Sequence, residues 1–208
     1  MMQRKLRVIP LVAAMAAVSA LSACAPLLLG GAAVSGALVV NDRRTSGTQL
    51  EDEAIGLKAA NRLRDALGDT AHLNITSYNR VVLVTGEVAT EADRAKVEPT
   101  VQPIENARSV VNEVAVAGKS SLTSRSNDVL ITTKVKSSLL DAKDIQAQAV
   151  KVITERGNVY LMGRVTEREA SRAVELARGV GGVQKVVRVF EMLTEDELKG
   201  LQPPAVKK

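Results

Sequence analysis

The sequence predicts an α+β protein made of two tandem copies of one unit. Each copy runs α-β-β-α-β, with two helices packed on a three-stranded mixed sheet. Three observations carry this reading. The chain holds a long internal repeat, each copy opens with a helical apolar stripe, and two short alternating segments follow each stripe. Leu73-Asn74-Ile75-Thr76 and Val82-Leu83-Val84-Thr85-Gly86-Glu87-Val88 align with Val150-Lys151-Val152-Ile153 and Val159-Tyr160-Leu161-Met162-Gly163-Arg164-Val165 at an offset of 77. Ile55, Lys58, Leu63, Asp65 and Ala66 align with Ile131, Lys134, Leu139, Asp141 and Ala142 at 76, as do Ile104, Val110 and Val111 with Val180, Val186 and Val187. A period this long exceeds a solenoid unit and suits a duplicated small domain.

The elements follow in order. Residues 24–50 are small and Gly/Ala-rich, then polar, and read as a tether; a chain starting near residue 45 is expected to fold without lipid or metal. The first domain spans 51–118, a linker 119–127, the second domain 128–193 and a tail 194–208. Ile55, Ala59 and Leu63 form the i, i+4, i+8 stripe of one opening helix, and Ile131, Val135 and Leu139 that of the other. Asn127 or Asp128 is the expected cap of the second. Strands are predicted at 73–77 and 81–88, and at 150–154 and 158–165, with Gly157 supplying a turn. The second helix of copy two runs 167–178, with Ala170, Ala173, Val174 and Ala177 inward; Gly181-Gly182 stops it and a last strand covers 183–192. In copy one, Pro99 and Pro103 are expected to break or kink the corresponding helix. Gly86 and Gly163 sit inside strands, which points to a bulge or a close helix–sheet contact.

Composition narrows the chemistry. With two Tyr, one Phe and no Trp, the cores must be built from Val, Leu, Ile and Ala. The net charge of +5 owes three of its bases to residues 1–23, which carry no acid; 25 basic and 23 acidic residues remain, and no nucleic-acid partner is expected. The two domains differ in sign, net −4 over 51–118 and net +3 over 128–193, so a division of labour is expected, with the acidic first domain not binding anionic vesicles. One cysteine rules out an internal disulfide framework and a cysteine-based zinc site. His72 precedes a strand without a second histidine and reads as a loop residue. The serines lack a nucleophile elbow, the paired glycines make no phosphate fingerprint, and Glu167 and Glu169 read as the charged start and outer face of a helix. No catalysis, cofactor or metal is expected.

The N-terminus has its own signature. Arg4, Lys5 and Arg7 precede an apolar run from Ile9 to Leu21, and Ser22 and Ala23 are small. Leu21-Ser22-Ala23-Cys24 resembles the lipobox of bacterial lipoproteins. That resemblance implies a signal peptide over 1–23, cleavage before Cys24 and acylation (palmitate among the chains) of Cys24. Two or three acyl chains, at about 0.8 kcal/mol per buried methylene, anchor a protein stably. The apolar stretch continues to Val40 and is long enough to span a membrane, but Pro26, Gly30, Gly31 and Gly36 interrupt it. Ala25 is not the aspartate that commonly retains such proteins in the inner membrane, which implies the outer membrane with the domains facing the periplasm.

The paired valine-rich strands, Gly86-x-Val88, Gly163-x-Val165 and the Gly182-Val183 turn resemble the BON domain. Two of them behind a lipobox, with Gly47-Thr48-Gln49, Ser126-Asn127-Asp128, Ile131-Thr132-Thr133-Lys134-Val135 and Val165-Thr166-Glu167-Arg168-Glu169-Ala170, resemble the dual-BON lipoproteins of Gram-negative outer membranes. The resemblance implies a non-catalytic envelope-integrity protein that binds anionic phospholipid such as phosphatidylglycerol or cardiolipin. An alternative class is a scaffold docking on an outer-membrane assembly or cell-wall-associated protein.

A helical wheel of the second domain's first helix places Ile131, Thr132, Val135, Ser138 and Leu139 on the core side. Val129, Leu130, Thr133, Lys134, Lys136, Ser137 and Leu140 fall on the opposite arc. Three apolar residues and two lysines, with no acid among the seven, exceed what solubility asks of a solvent face and suit a surface that dips into a bilayer. The competing expectation is that Val129, Leu130 and Leu140 pack against the tether or the first domain.

Overall fold

The computed structural model describes residues 42–68 and 71–201. Cys24, the signal peptide and the N-terminal part of the tether therefore lie outside the described residues, as does the end of the tail. Copy one comprises α1 (Ser46–Leu67), β1 (His72–Tyr78), β2 (Val81–Val88), α2 (Glu91–Val101), β3 (Ser109–Asn112) and β4 (Ala115–Val116). Copy two comprises α3 (Leu122–Asp141), a short 3-10 turn (Ala147–Ala149), β5 (Val150–Glu155), β6 (Asn158–Val165), α4 (Glu167–Arg178) and β7 (Lys185–Met192), followed by α5 (Glu195–Leu201). In each copy an antiparallel hairpin (β1–β2, β5–β6) is joined by a parallel third strand that returns through a helix.

The sheet registers reproduce both repeat offsets. Leu73 faces Gly86 and Val150 faces Gly163, an offset of 77. Val82 faces Val110 and Val159 faces Val186, where the third strand carries 76. Copy one's third strand is interrupted at Glu113-Val114; Val84 with Asn112 and Glu87 with Ala115 keep one register across the gap.

Several local expectations are corrected. The opening helices start earlier than their apolar stripes. Thr45 caps α1 by accepting from the Thr48 amide, and Ser121 caps α3 by accepting from the Ser124 amide. Each cap oxygen satisfies an otherwise orphaned donor, which extends the helix by a turn or more. Residues 42–50, read as tether, are thus folded, and α3 starts inside the segment read as linker. Asp128 is no cap: it lies within α3, buried, and Asn127 is exposed beside it. Residues 195–201 of the tail form α5.

Pro99 does not break α2, which runs through it to Val101. It falls in the final turn, where the missing amide removes a single helical hydrogen bond, and the Gln102 amide still bonds the Glu98 carbonyl. Gly86 and Gly163 are required by a backbone carbonyl at the start of the partner strand rather than by a helix packed on the sheet. A Cβ on Gly86 would lie 2.0 Å from the His72 carbonyl oxygen, and one on Gly163 2.2 Å from that of Ala149.

Strand alternation gives each sheet two apolar faces. One face meets its own helices: Val82, Val84 and Val88 join Ile55, Leu63, Val97 and Val101, while Val159, Leu161 and Val165 join Ile131, Leu139, Ala170 and Val174. The other faces meet each other through Tyr78, Leu83, Tyr160 and Met162, flanked by Val111, Ile153, Val187 and Val189. The layers are helices, sheet, sheet, helices. The two sheets share a core, and polar pairs ring it: Asn79 and Arg108 both donate to Glu191, at 2.6 and 2.7 Å.

Candidate functional site

The inward stripe of α3 is as the wheel places it, with Ile131, Val135 and Leu139 buried. All seven residues of the opposite arc are exposed: Val129, Leu130, Thr133, Lys134, Lys136, Ser137 and Leu140. Val129 is 65%, Leu130 56% and Leu140 63% exposed, so neither domain nor the described part of the N-terminal segment covers them. Leu122, read as linker, lies in line with Val129 and Leu140 on the same arc and is 80% exposed. It lengthens the apolar ridge by two turns, and the late helix start in the sequence reading is why it was missed.

The ridge stands between two clefts. Leu130 and Lys134 border one of about 700 Å³ that also involves Ser120, Arg156 and Gly182. Val129, Thr133 and Lys136 border another of about 410 Å³ with Arg125, His72 and Asn74. The acids of α3 stay off the ridge centre: Asp128 turns inward, and Asp141 closes the last turn.

Asp128 fixes the ridge to the hairpin beneath it. Its carboxylate accepts from the amides of Arg156 and Gly157 at 2.9 and 2.8 Å, clamping the β5–β6 turn to α3. Asp52 does the same in copy one, accepting from the amides of Asn79 and Arg80 at 2.7 Å each and from the Ser77 hydroxyl and Arg44. Burial opposes the Asp52 charge, but these donors outweigh it and hold the carboxyl below its ordinary range. Asp52 and Asp128 match at offset 76, so the repeat itself carried this signal.

A second lock joins the N-terminal segment to copy two. Arg43 donates both guanidinium nitrogens to Glu169, at 2.7 and 2.8 Å, and also reaches the Arg164 carbonyl and Gln146. Both side chains are buried, so Glu169 is not on an outer face as its helical position implies. Burial again opposes its charge, and the bonds from Arg43 and the Thr166 amide still bring its carboxyl below the ordinary range. Glu167, in contrast, is exposed and pairs with Arg188.

His72 is the first residue of β1 rather than a loop residue, and its Nδ1 lies 3.1 Å from Glu87 Oε2 across the strand pair. Glu155, from copy two, sits nearby and accepts from Asn74 at 2.6 Å. Burial, together with the charges of Glu87 and Asp128, pushes the Glu155 carboxyl above its ordinary range.

Two helix-backed sheets joined face to face, each with an aspartate clamp and a strand glycine, define a duplicated α+β module. The BON domain family model matches residues 52–118 and 127–194, and the chain belongs to this family, with two copies. It is 37% identical over 175 residues to the outer membrane lipoprotein DolP of Haemophilus influenzae, covering 83% of this chain and 90% of that one. It is 37% identical over 151 residues to a 21 kDa hemolysin of Actinobacillus pleuropneumoniae (72% and 78% covered), and 27% identical over 144 residues to the osmotically-inducible protein Y of Escherichia coli (67% and 72%). None of the described helices is long and apolar enough to cross a membrane.

Proposed function

We propose that the protein is a non-catalytic outer-membrane lipoprotein, anchored through acyl chains on Cys24 with both domains in the periplasm, and that it supports envelope integrity by binding anionic phospholipid through the outer face of α3. The relative named as an outer membrane lipoprotein, aligned over most of both chains, supports the location. The observation that carries the binding reading is the ridge: Leu122, Val129, Leu130 and Leu140 stand exposed beside Lys134 and Lys136.

Magnitudes fit a weak, local contact. Each lysine near an anionic surface contributes about 1 kcal/mol, and each inserted leucine about 1.5 to 3 kcal/mol. Insertion of Leu130 and Leu140 alone beside the two lysines sums to about 5 to 8 kcal/mol, sub-millimolar to micromolar affinity; an acyl anchor that already holds the protein at the bilayer raises its effective concentration enough for such a face to engage. Co-sedimentation of the Cys24→Ala chain with phosphatidylglycerol or cardiolipin vesicles, against phosphatidylcholine, tests it. Leu130→Glu and Lys134→Glu/Lys136→Glu are each expected to cut anionic-vesicle binding at least tenfold with unchanged circular dichroism. Folded variants that bind as wild type refute the site.

A second reading has its own observation. Leu50 and Leu57 are exposed on α1 of the acidic copy, among Glu51 and Glu53. Such a face repels anionic lipid and suits contact with an envelope protein, making the chain a scaffold as well.

A further inference from the structure

We infer that His72, Glu87 and Glu155 form a binding site for one divalent transition cation of the zinc type, set between the two domains. Three strands from two sheets supply the donors. His72 and Glu87 are direct cross-strand partners on β1 and β2, and Glu155 ends β5. Side-chain alternation turns all three to the faces where the sheets meet. One donor atom from each lies within 4.8 Å of the others. A cation about 2.0 to 2.2 Å from imidazole nitrogen and carboxylate oxygens sits within such a triangle after a small tightening of the side chains.

The chemistry of the donors selects the ion. One nitrogen and two carboxylates suit a borderline cation and leave a fourth position for water, whereas calcium and magnesium favour all-oxygen sets. Glu87 is 1% and Glu155 6% exposed, so two carboxylates face each other out of water. Among the described residues, the Arg156 Nη1 reaches Glu87 at 3.4 Å, while Arg125 and Lys136 line the same cleft as Glu155. A divalent ion would supply the compensation that a half-exposed guanidinium at that distance supplies poorly.

The surroundings are those of a supported site. Asn74 donates to one oxygen of Glu155 and fixes that carboxylate's orientation, as outer groups do for metal ligands. Asp128 clamps the turn that follows Glu155. Gly86, which permits β2 to approach the His72 carbonyl, holds the His72–Glu87 strand pair close. The cleft of about 410 Å³ beside α3 is lined by His72, Asn74 and Glu155 and gives an entry path. With ligands from both domains, the ion would act as a clamp between them.

Equilibrium dialysis of the full chain in detergent against Zn²⁺, with metal counted by atomic emission, tests this. Wild type is expected to take up one Zn²⁺ per chain saturably, and its unfolding midpoint to rise with Zn²⁺. His72→Gln and Glu155→Gln, which keep volume and hydrogen bonding, are each expected to lower affinity at least tenfold and abolish the shift; Cys24→Ser is expected to leave both unchanged. If one of the glutamine variants fails to fold by circular dichroism, the other decides. Absence of saturable uptake by wild type, or equal uptake by the folded variants, overturns the inference and leaves a hydrogen bond between His72 and Glu87.

Discussion

The two domains share a framework and differ on almost every surface that the framework presents. Buried positions repeat: Ile55 and Ile131, Leu63 and Leu139, Val82 and Val159, the clamping Asp52 and Asp128, the strand glycines Gly86 and Gly163. Outward positions mostly do not, Lys58 and Lys134 being an exception. Where α3 shows Val129, Leu130, Lys136 and Leu140, α1 shows Glu53, Ala54, Ala60 and Arg64 at the same offset. On the sheet faces that meet, Glu87 of copy one is replaced by Arg164 of copy two. Core packing constrains size and shape at every repeated site, while a solvent face is free to diverge after duplication. The basic, apolar ridge therefore belongs to the second copy, while the two sheets rest against each other.

The largest expected effect tests the shared clamp. Asp52 takes two amides, a hydroxyl and a guanidinium, whereas Asp128 takes two amides. Asp52→Ala should cost about 4 kcal/mol, because it leaves Arg44 and the turn donors unpaired, and Asp128→Ala about 2 kcal/mol. Urea unfolding at constant m-value measures both, and equal losses would show the extra Asp52 partners to be idle. The clamp also sets acid sensitivity. A carboxyl held below its ordinary range contributes stability that is complete above the unfolded-state value of roughly 4 and is lost as pH falls through the folded value. Asp52 and Glu169 both behave so, and the urea midpoint should fall below about pH 4, less steeply in Asp52→Ala.

The next effect separates two helix-start acids at matching positions. Glu169 of α4 is buried under Arg43, while Asp93 of α2 pairs with exposed Lys96. Arg43→Ala strands a buried carboxylate and should cost about 3 kcal/mol. Lys96→Ala should leave the unfolding midpoint where it is, since an exposed pair is screened. A chain beginning at residue 45 lacks Arg43 and Arg44 and should fold but unfold at lower urea than one beginning at 42.

The smallest effect lies in the two hairpin turns. Asn79-Arg80 and Arg156-Gly157 both take positive φ at each position. Arg80 bears a strain that Gly157 avoids. Gly157→Ala should cost about 1 to 2 kcal/mol, with the new Cβ also 3.0 Å from Gln184. Arg80→Gly should gain about 0.5 kcal/mol, the relief of strain being offset by loss of its half-exposed pair with Glu51. Thermal melts of the two variants against wild type read the opposite signs directly.

Whatever depends on neighbours close along the chain was legible without the fold. The duplication, the hairpins, α4 and the outer arc of α3 follow from periods of 2 and 3.6 residues, whereas His72, read as a loop residue, was set opposite Glu87 only by the structure. Helix starts were harder, because Thr45 and Ser121 act as caps through one oxygen each and leave no periodic trace. Tertiary structure alone decided that the sheets face each other through Tyr78, Leu83, Tyr160 and Met162, that Arg43 reaches Glu169 across 126 residues, and that Asn74 meets Glu155 across 81. Such pairings are chosen by which apolar faces remain uncovered once each domain has formed, and polar groups at their rim must then find partners wherever the packing places them.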